Sequence, residues 1–168
     1  MNNLITHQPT QKVHEPDSYE KGRLFEEFII KLFNERHFKL AKWRKAAKSI
    51  DRSFLNDSSN PDLELIFTGS RKYHFAVECK WRKEFVEGKI SWATDYQICS
   101  YDCFENCRRM PVFIAIGIGG DPWNPEKLFV TPLCNINMYT EVYESDLIPY
   151  KRKPTNRFFY DTVQLRLW

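Results

Sequence analysis

Two acidic residues and a lysine stand at a spacing that could support chemistry. Asp62 follows a proline, and after fifteen intervening residues Glu78 and Lys80 flank a cysteine. Residues 63–68 (LELIFT) and 73–81 are rich in β-branched and aromatic residues and are separated by a short turn, which predicts a β-hairpin. Because side chains alternate across a strand, Glu78 and Lys80 are expected to share one face. Asp62, at the start of the first strand, can then meet Glu78 across the hairpin.

The charges of this cluster favour a bound divalent cation. Two carboxylates and a lysine on one sheet face are costly to leave unpaired. Mg²⁺ is commonly held by one or two carboxylates together with phosphate oxygens and water, and Asp62, Glu78 and the backbone carbonyl of Cys79 could supply such a site. If a metal-bound water attacks a phosphate ester, Lys80 could orient that water or help deprotonate it, or stabilise the negative charge that grows in the transition state. Oxygen ligands fit Mg²⁺ or Mn²⁺ better than zinc, because no His or Cys pair converges there.

The remaining elements would position this cluster within one α/β domain. Apolar residues at helical spacing predict a first helix from Ser18 to about Arg36. The other expected elements are a strand over 38–46, a helix over 91–108, a strand buried on both faces over 112–118, and strands over 127–132 and 156–168. We expect a flexible arm over 1–17, a core over 18–134 and a C-terminal extension over 135–168 packed on that core. The order predicts a mixed sheet in a single domain.

The two short motifs, Pro61-Asp62 and Glu78-Cys79-Lys80, resemble the signature of the PD-(D/E)XK nuclease superfamily, also called restriction-endonuclease-like. The core of that family is αβββαβ with a mixed central sheet flanked by helices, which is the order expected here. Residues 21–26 (KGRLFE) are similar to the first helix of archaeal-type Holliday-junction resolvases and of Mrr-like restriction enzymes. In those families a glutamate four residues after a glycine completes the metal site. The resemblance covers about residues 20–131.

The resemblance implies a DNA endonuclease that depends on Mg²⁺ or Mn²⁺ and hydrolyses phosphodiester bonds in restriction, repair, recombination or element mobility. It adds Glu26 to the metal ligands, and the rim position of Glu26 on the apolar stripe favours it over Glu27. Residues 87–90 (EGKI) and Gln97 are also similar to the resolvase pattern, in which the helix glutamine lies beside the active site. The expected catalytic residues are Glu26, Asp62, Glu78, Lys80 and Gln97.

Positive charge is concentrated in two segments of the chain. The net charge is +3, yet residues 36–52 carry a surplus of six positive charges and residues 151–157 a surplus of four. Such segregation fits a polyanion-binding face, although an ordinary solvated surface is the alternative. The expected DNA-contacting residues are Lys42, Arg44, Lys45, Arg82, Lys83, Lys89, Lys151 and Arg152.

Partners and location follow from the same reasoning. One active site cuts one strand, so cleavage of both strands predicts a homodimer or a partner subunit. The longest apolar run has seven residues, against about 20 needed to span a bilayer, and no signal-peptide pattern is present. We therefore expect a cytoplasmic or nucleoid-associated protein. The alternatives are a non-catalytic nucleic-acid-binding or assembly subunit with the nuclease fold, and a structural or regulatory protein whose carboxylates form surface salt bridges.

The chain contains five cysteines, of which Cys99, Cys103 and Cys107 recur every four residues. They continue a helical stripe that begins with Trp92 and Tyr96. Free cysteine is among the most often buried residue types, so we predict that these three pack in the core. A metal site is the alternative, although zinc ligands usually stand in closer pairs.

Overall fold

The computed structural model describes residues 16–44 and 60–168. Most of the expected arm, Lys45 and nearly all of the polar connection over 51–60 lie outside these residues. The helices are α1 (Ser18–Leu32), α2 (Asp95–Arg108) and α3 (Glu144–Leu147). The strands are β1 (Phe38–Trp43), β2 (Leu63–Thr68), β3 (Lys72–Arg82), β4 (Lys89–Ser91), β5 (Val112–Ile118), β6 (Lys127–Pro132), β7 (Glu141–Tyr143), β8 (Lys151–Arg152), β9 (Tyr160–Asp161) and β10 (Arg166–Leu167). Within the described ranges, no helix is both long and apolar enough to cross a membrane.

The described strands form a central six-stranded sheet in the order β1-β2-β3-β5-β6-β8. β3 and β5 run parallel, and every other neighbouring pair is antiparallel. The parallel pair requires a crossover, which contains α2, whereas the antiparallel pairs need only short turns. The predicted α/β class with a mixed central sheet and flanking helices is confirmed.

Helices cover the two faces of the sheet and leave β5 between them. Every residue of β5 is buried, as its continuous apolar sequence predicted. On one face Val77 and Cys79 belong to a core cluster with Phe25 and other residues of α1. A Cβ at Gly117 would overlap the ring of Phe25, so glycine lets α1 approach the sheet closely. On the other face Ala76 packs in a second cluster that includes the inner side of α2.

Both main helices are shorter than the sequence predicted. α1 ends at Leu32, and Phe33 takes an extended conformation as its C-cap while its side chain stays buried in the core. Ser91, predicted as the first residue of α2, is instead the last residue of β4 and pairs with Glu141 of β7. Thr94 then caps α2. Pairing with a distant strand overrides the local helical pattern here.

The C-terminal residues complete the core instead of forming one more long strand. β8 adds to the edge of the central sheet beside β6. Phe158, Tyr160 and Leu167 are buried in the α1-side cluster. The prediction of a single strand over 156–168 is wrong, because the chain turns between β9 and β10. Asp161 Oδ1 stabilises this turn by accepting hydrogen bonds from the backbone N–H groups of Val163 and Gln164.

The three cysteines of α2 lie on its solvent-facing side, so their predicted burial is wrong. Cys99, Cys103 and Cys107 are all exposed. Successive side chains along a helix are rotated by about 100°. The cysteines therefore project from a different side of α2 than its buried residues. The buried residues of α2 are Ile98, Tyr101 and Phe104.

Candidate active site

An open cleft of about 400 Å³ lies where α1, the start of β2 and the end of β3 meet. Its charged lining comes from all three elements and includes both signs. The structure therefore brings together four of the five residues expected to be catalytic. The ionisable residues in the lining are Lys21, Glu26, Asp62, Glu78, Cys79, Lys80, Arg82 and Lys83.

Asp62 and Glu78 are tied to each other through the hairpin backbone. The antiparallel register pairs Leu63 with Val77, which places Asp62 opposite Glu78. The Asp62 N–H donates to Glu78 Oε2 at 3.2 Å, and the Cys79 N–H donates to Asp62 Oδ2 at 2.8 Å. Burial and the negative charges of Glu78 and Glu26 raise the pKa of Asp62 well above its usual value, and the hydrogen bond from Cys79 opposes this. The hairpin thus holds the two carboxylates close despite their repulsion.

The carboxylate of Glu78 is almost fully buried, with 3% of the residue exposed, and is held on the α2 side of the sheet. Its Oε1 atom accepts a hydrogen bond from the hydroxyl of Tyr101 and an ion-paired hydrogen bond from Lys80 Nζ, each at 2.6 Å. Burial and the charge of Glu78 raise the pKa of Tyr101, so the phenol remains a donor. Tyr101 was not among the site residues predicted from the sequence. The one feature in the sequence that could have indicated its role is its position on the apolar side of a helix, because a buried tyrosine hydroxyl needs a hydrogen-bond partner.

Lys80 carries its positive charge in the cleft. Burial lowers the pKa of Lys80, but the attraction of Glu78, their hydrogen bond and the charge of Asp62 outweigh burial, so the pKa is raised. A protonated lysine cannot accept a proton from water. Its place in the cleft therefore favours a role in charge stabilisation over a role as a general base.

Glu26 reaches the cleft from α1 and is 8% exposed. Its Oε2 atom accepts a hydrogen bond from Trp43 Nε1 of β1 at 2.6 Å. Burial and the nearby Glu78 raise the pKa of Glu26 to about 7, although the Trp43 bond and Lys80 act in the opposite direction. Glu27, the rejected neighbour, instead forms an ion pair with Arg23 on the same helix.

Gln97, which was expected to lie beside the active site, is not among the residues that line the cleft and instead caps α2. Its side-chain oxygen accepts a hydrogen bond from the Thr94 N–H at 3.1 Å, and its own N–H donates to Thr94 Oγ1 at 3.3 Å. This reciprocal arrangement is a capping box at the start of α2. One turn further along, Tyr101 is the residue by which α2 contacts the site.

Arg44 is a structural residue, which corrects its expected role as an exposed DNA contact. It is 8% exposed, forms an ion pair with Glu64 and donates from Nη1 to the Pro61 carbonyl oxygen at 2.6 Å. Its guanidinium also lies 5.6 Å from the centre of the Phe104 ring. These contacts hold the chain just before Asp62 and leave little of Arg44 exposed.

The other expected DNA contacts occupy several parts of the surface. Arg82 and Lys83 line the cleft, whereas Lys89 of β4 forms an exposed ion pair with Glu141. Lys42 lies on β1, and both Lys151 and Arg152 form β8. β1 and β8 are the opposite edges of the central sheet, separated by five strand spacings of about 4.8 Å each. Among the described residues, Lys42 therefore lies at the opposite edge of the sheet from Lys151 and Arg152.

The donor set in the cleft fits a hard divalent cation. Glu26, Asp62 and Glu78 present carboxylate oxygens, and burial together with the charges of neighbouring carboxylates raises the pKa values of Glu26 and Asp62. Within residues 16–44 and 60–168, no three His, Cys, Asp or Glu side chains gather closely enough to hold a metal ion. Mg²⁺ does not need such a cage, because one or two carboxylates with water and phosphate oxygens commonly hold it. The residues present meet that smaller requirement.

The fold is restriction-endonuclease-like. The chain is similar in structure to Hjc, a Holliday junction resolvase from the hyperthermophilic archaeon Archaeoglobus fulgidus. The match covers 78% of this chain and 93% of that chain, with a TM-score of 0.51 and 16% sequence identity. No family model and no curated protein sequence matches the chain. At this identity the comparison establishes the shared fold alone.

Proposed function

We propose that the protein is a DNA endonuclease of the PD-(D/E)XK superfamily that hydrolyses phosphodiester bonds with the help of Mg²⁺ or Mn²⁺. The observation that carries the proposal is the convergence of Asp62, Glu78 and Lys80 in one open cleft, with Glu26 added from α1. A surface salt bridge would not need this convergence of buried carboxylates. The resolvase-like fold is consistent with the same class of reaction.

Each residue has a separate role in this proposal. Asp62 and Glu78, with the backbone carbonyl of Cys79, would hold the cation, and Glu26 would lie beside them in the cleft. The cation would supply Lewis-acid polarisation of the phosphate and a lowered pKa for an attacking water. Lys80 keeps its proton and stabilises the negative charge that develops on the phosphoryl oxygens. The reaction needs no covalent intermediate with the protein.

Tyr101 and Trp43 act as positioning residues in this scheme. Tyr101 fixes one oxygen of Glu78, and Trp43 fixes one oxygen of Glu26. Both donors reach the carboxylates from elements other than the motif hairpin. Their hydrogen bonds limit the orientations of the two side chains and so prepare the cleft for its ligand.

The DNA path is proposed to begin at the cleft itself. Arg82 and Lys83 directly follow the motif strand and line the opening, so they would contact phosphates next to the scissile bond. Such contacts position nucleic acid without reading its sequence. Because the cleft is a single site, we propose that a homodimer or a partner subunit cuts the second strand.

The deciding experiment is a cleavage assay on plasmid, linear duplex, four-way branched and single-stranded DNA, each with Mg²⁺, Mn²⁺ or EDTA. We expect cleavage with either metal and none with EDTA. Glu78→Gln should abolish cleavage, whereas Glu84→Gln, the same change at an exposed residue just beyond β3, should not. Absence of cleavage on every substrate, with DNA binding retained, would leave the non-catalytic binding protein as the correct assignment.

A further inference from the structure

The solvent-facing side of α2 carries a pair of thiols that the proposed nuclease reaction does not use. The Sγ atoms of Cys103 and Cys107 lie 3.5 Å apart, and both residues are exposed. Cys99 lies one turn earlier in the same row and is also exposed. Tyr101, which contacts the active-site cleft, is on the buried side of this helix.

The spacing of this thiol pair suits a bridging ion better than a disulfide. Residues four apart on a helix have Cβ atoms about 5–6 Å from each other. A disulfide needs Cβ atoms about 3.5–4.5 Å apart, so the bond would distort the last turns of α2. Two metal–sulfur bonds of about 2.3 Å at a tetrahedral angle separate their sulfurs by about 3.8 Å, which is close to the observed 3.5 Å.

The ligand chemistry of the pair defines the ion. Thiolate sulfur is a soft ligand and selects thiophilic metals over Mg²⁺ or Ca²⁺. Among the described residues no third His, Cys, Asp or Glu side chain joins the pair closely enough to count as a ligand. The protein therefore offers two thiolates, and water would occupy the other tetrahedral positions.

We propose that Cys103 and Cys107 form a two-thiolate site for a thiophilic divalent ion such as Zn²⁺ or Cd²⁺. Each Sγ loses its proton and forms one bond to the ion, so that two protons are released for every ion bound and no oxidant is required. The bridge joins two successive turns of α2 close to its end at Arg108. The site is independent of the nuclease proposal, and either can fail without the other.

The test is a titration of the full-length, reduced, metal-free protein with Cd²⁺. Thiolate-to-metal charge transfer gives an ultraviolet absorption band that carboxylate ligands in the cleft do not produce. We expect this band to saturate at one ion per chain with release of two protons. The double variant Cys103→Ser/Cys107→Ser should lose both signals, and each single variant should bind at least about tenfold more weakly.

Two matched variants make the assignment specific. Cys99→Ser alters the neighbouring thiol of the same row, and Cys134→Ser alters an exposed thiol elsewhere; both should retain the band and an affinity within about threefold of the parent, well below the change expected for a lost ligand. Circular dichroism of each variant checks that α2 is intact. Absence of the band in the parent, its persistence in the double variant, or an equal loss in Cys99→Ser would overturn the proposal.

Discussion

Tyr101 donates its phenolic hydrogen to Glu78 Oε1 over 2.6 Å, which joins the buried side of α2 to the motif strand β3. Lys80 Nζ lies at the same distance from the same oxygen. The Oε1 atom of Glu78 is therefore held by two donors, one from its own strand and one from a helix that begins seventeen residues later in the chain. The position of α2 on the sheet thus bears directly on the geometry of the candidate active site.

Tyr101→Phe should lower both stability and cleavage. The change removes one donor to a buried carboxylate, and hydrogen bonds to charged groups contribute about 1.5–3 kcal/mol. We expect a loss of that size in the free energy of unfolding, measured by urea denaturation, together with a lower cleavage rate. Tyr96→Phe makes the same chemical change at an exposed position of the same helix. If the two variants behave alike, Tyr101 does not position Glu78.

Lys80→Ala should abolish most cleavage and leave DNA binding intact. Removing one group that stabilises transition-state charge typically lowers the rate by about 10²–10³-fold. Single-turnover cleavage and a separate binding assay in Ca²⁺ distinguish the two effects. Lys72→Ala removes an exposed lysine from the start of the same strand and is the control. Cleavage at the parent rate by Lys80→Ala would contradict the role assigned to this lysine.

Mg²⁺ or Mn²⁺ should raise the melting temperature, and Asp62→Asn should remove that response. A ligand present at ten times its dissociation constant stabilises the folded state by about 1.4 kcal/mol. Asparagine retains an oxygen that can accept the Cys79 N–H but removes the charge that repels Glu78. Differential scanning fluorimetry with and without metal measures the shift. Asp146→Asn, at an exposed position of α3, should respond like the parent, and an undiminished shift in Asp62→Asn would exclude Asp62 as a ligand.

Without metal, stability should fall as the pH rises from about 4.5 to about 7. The pKa of Glu26 is raised from 4.5 to about 7 by burial and by Glu78, so the folded state holds a proton that the unfolded state has released in this interval. The stabilisation is fully present below the unfolded pKa and is lost as the pH passes the folded pKa. One such carboxyl contributes a slope of at most about 1.4 kcal/mol per pH unit.

Urea denaturation in EDTA at several pH values measures this slope. Glu26→Gln should flatten it, because glutamine keeps an acceptor for Trp43 but does not titrate. Glu27→Gln, one residue further along α1, should leave the slope unchanged. An identical pH dependence in the parent and Glu26→Gln would show that Glu26 does not titrate in this interval.

Arg44→Ala should destabilise the fold instead of altering the salt dependence of DNA binding. Removal of one partner from a buried ion pair costs about 3–5 kcal/mol, and Glu64 would lose its nearer cationic neighbour, leaving Arg108 at 4.0 Å. Arg36→Ala, at an exposed position, should have little effect on the free energy of unfolding. Lys83→Ala should instead reduce the slope of log affinity against log salt by about 0.9. Normal stability of Arg44→Ala would refute the structural role.

The sequence by itself determined the hairpin and the residues placed along it. The bounds of β2, β5 and β6 match the predicted strands, because alternation and continuous apolar runs are local signals that directly reflect burial. Once the register of β2 and β3 is fixed, Asp62 must lie opposite Glu78. The short motifs therefore predicted that Asp62 and Glu78 lie together, as the register of the hairpin shows.

Only the tertiary structure decided which distant side chains complete the site. Gln97 and Tyr101 lie one turn apart on α2. In the folded chain the Gln97 side chain forms the capping box at the start of that helix, whereas the Tyr101 hydroxyl donates to Glu78. Arg44 belongs to a basic run, yet the fold buries it against Glu64. Such contacts depend on how separate elements are oriented and how deeply they pack, and neither periodicity nor local charge encodes those quantities. Strand alternation is a local property of the chain, whereas a hydrogen bond between a helix and a strand forms only when the two elements pack against each other in the folded core.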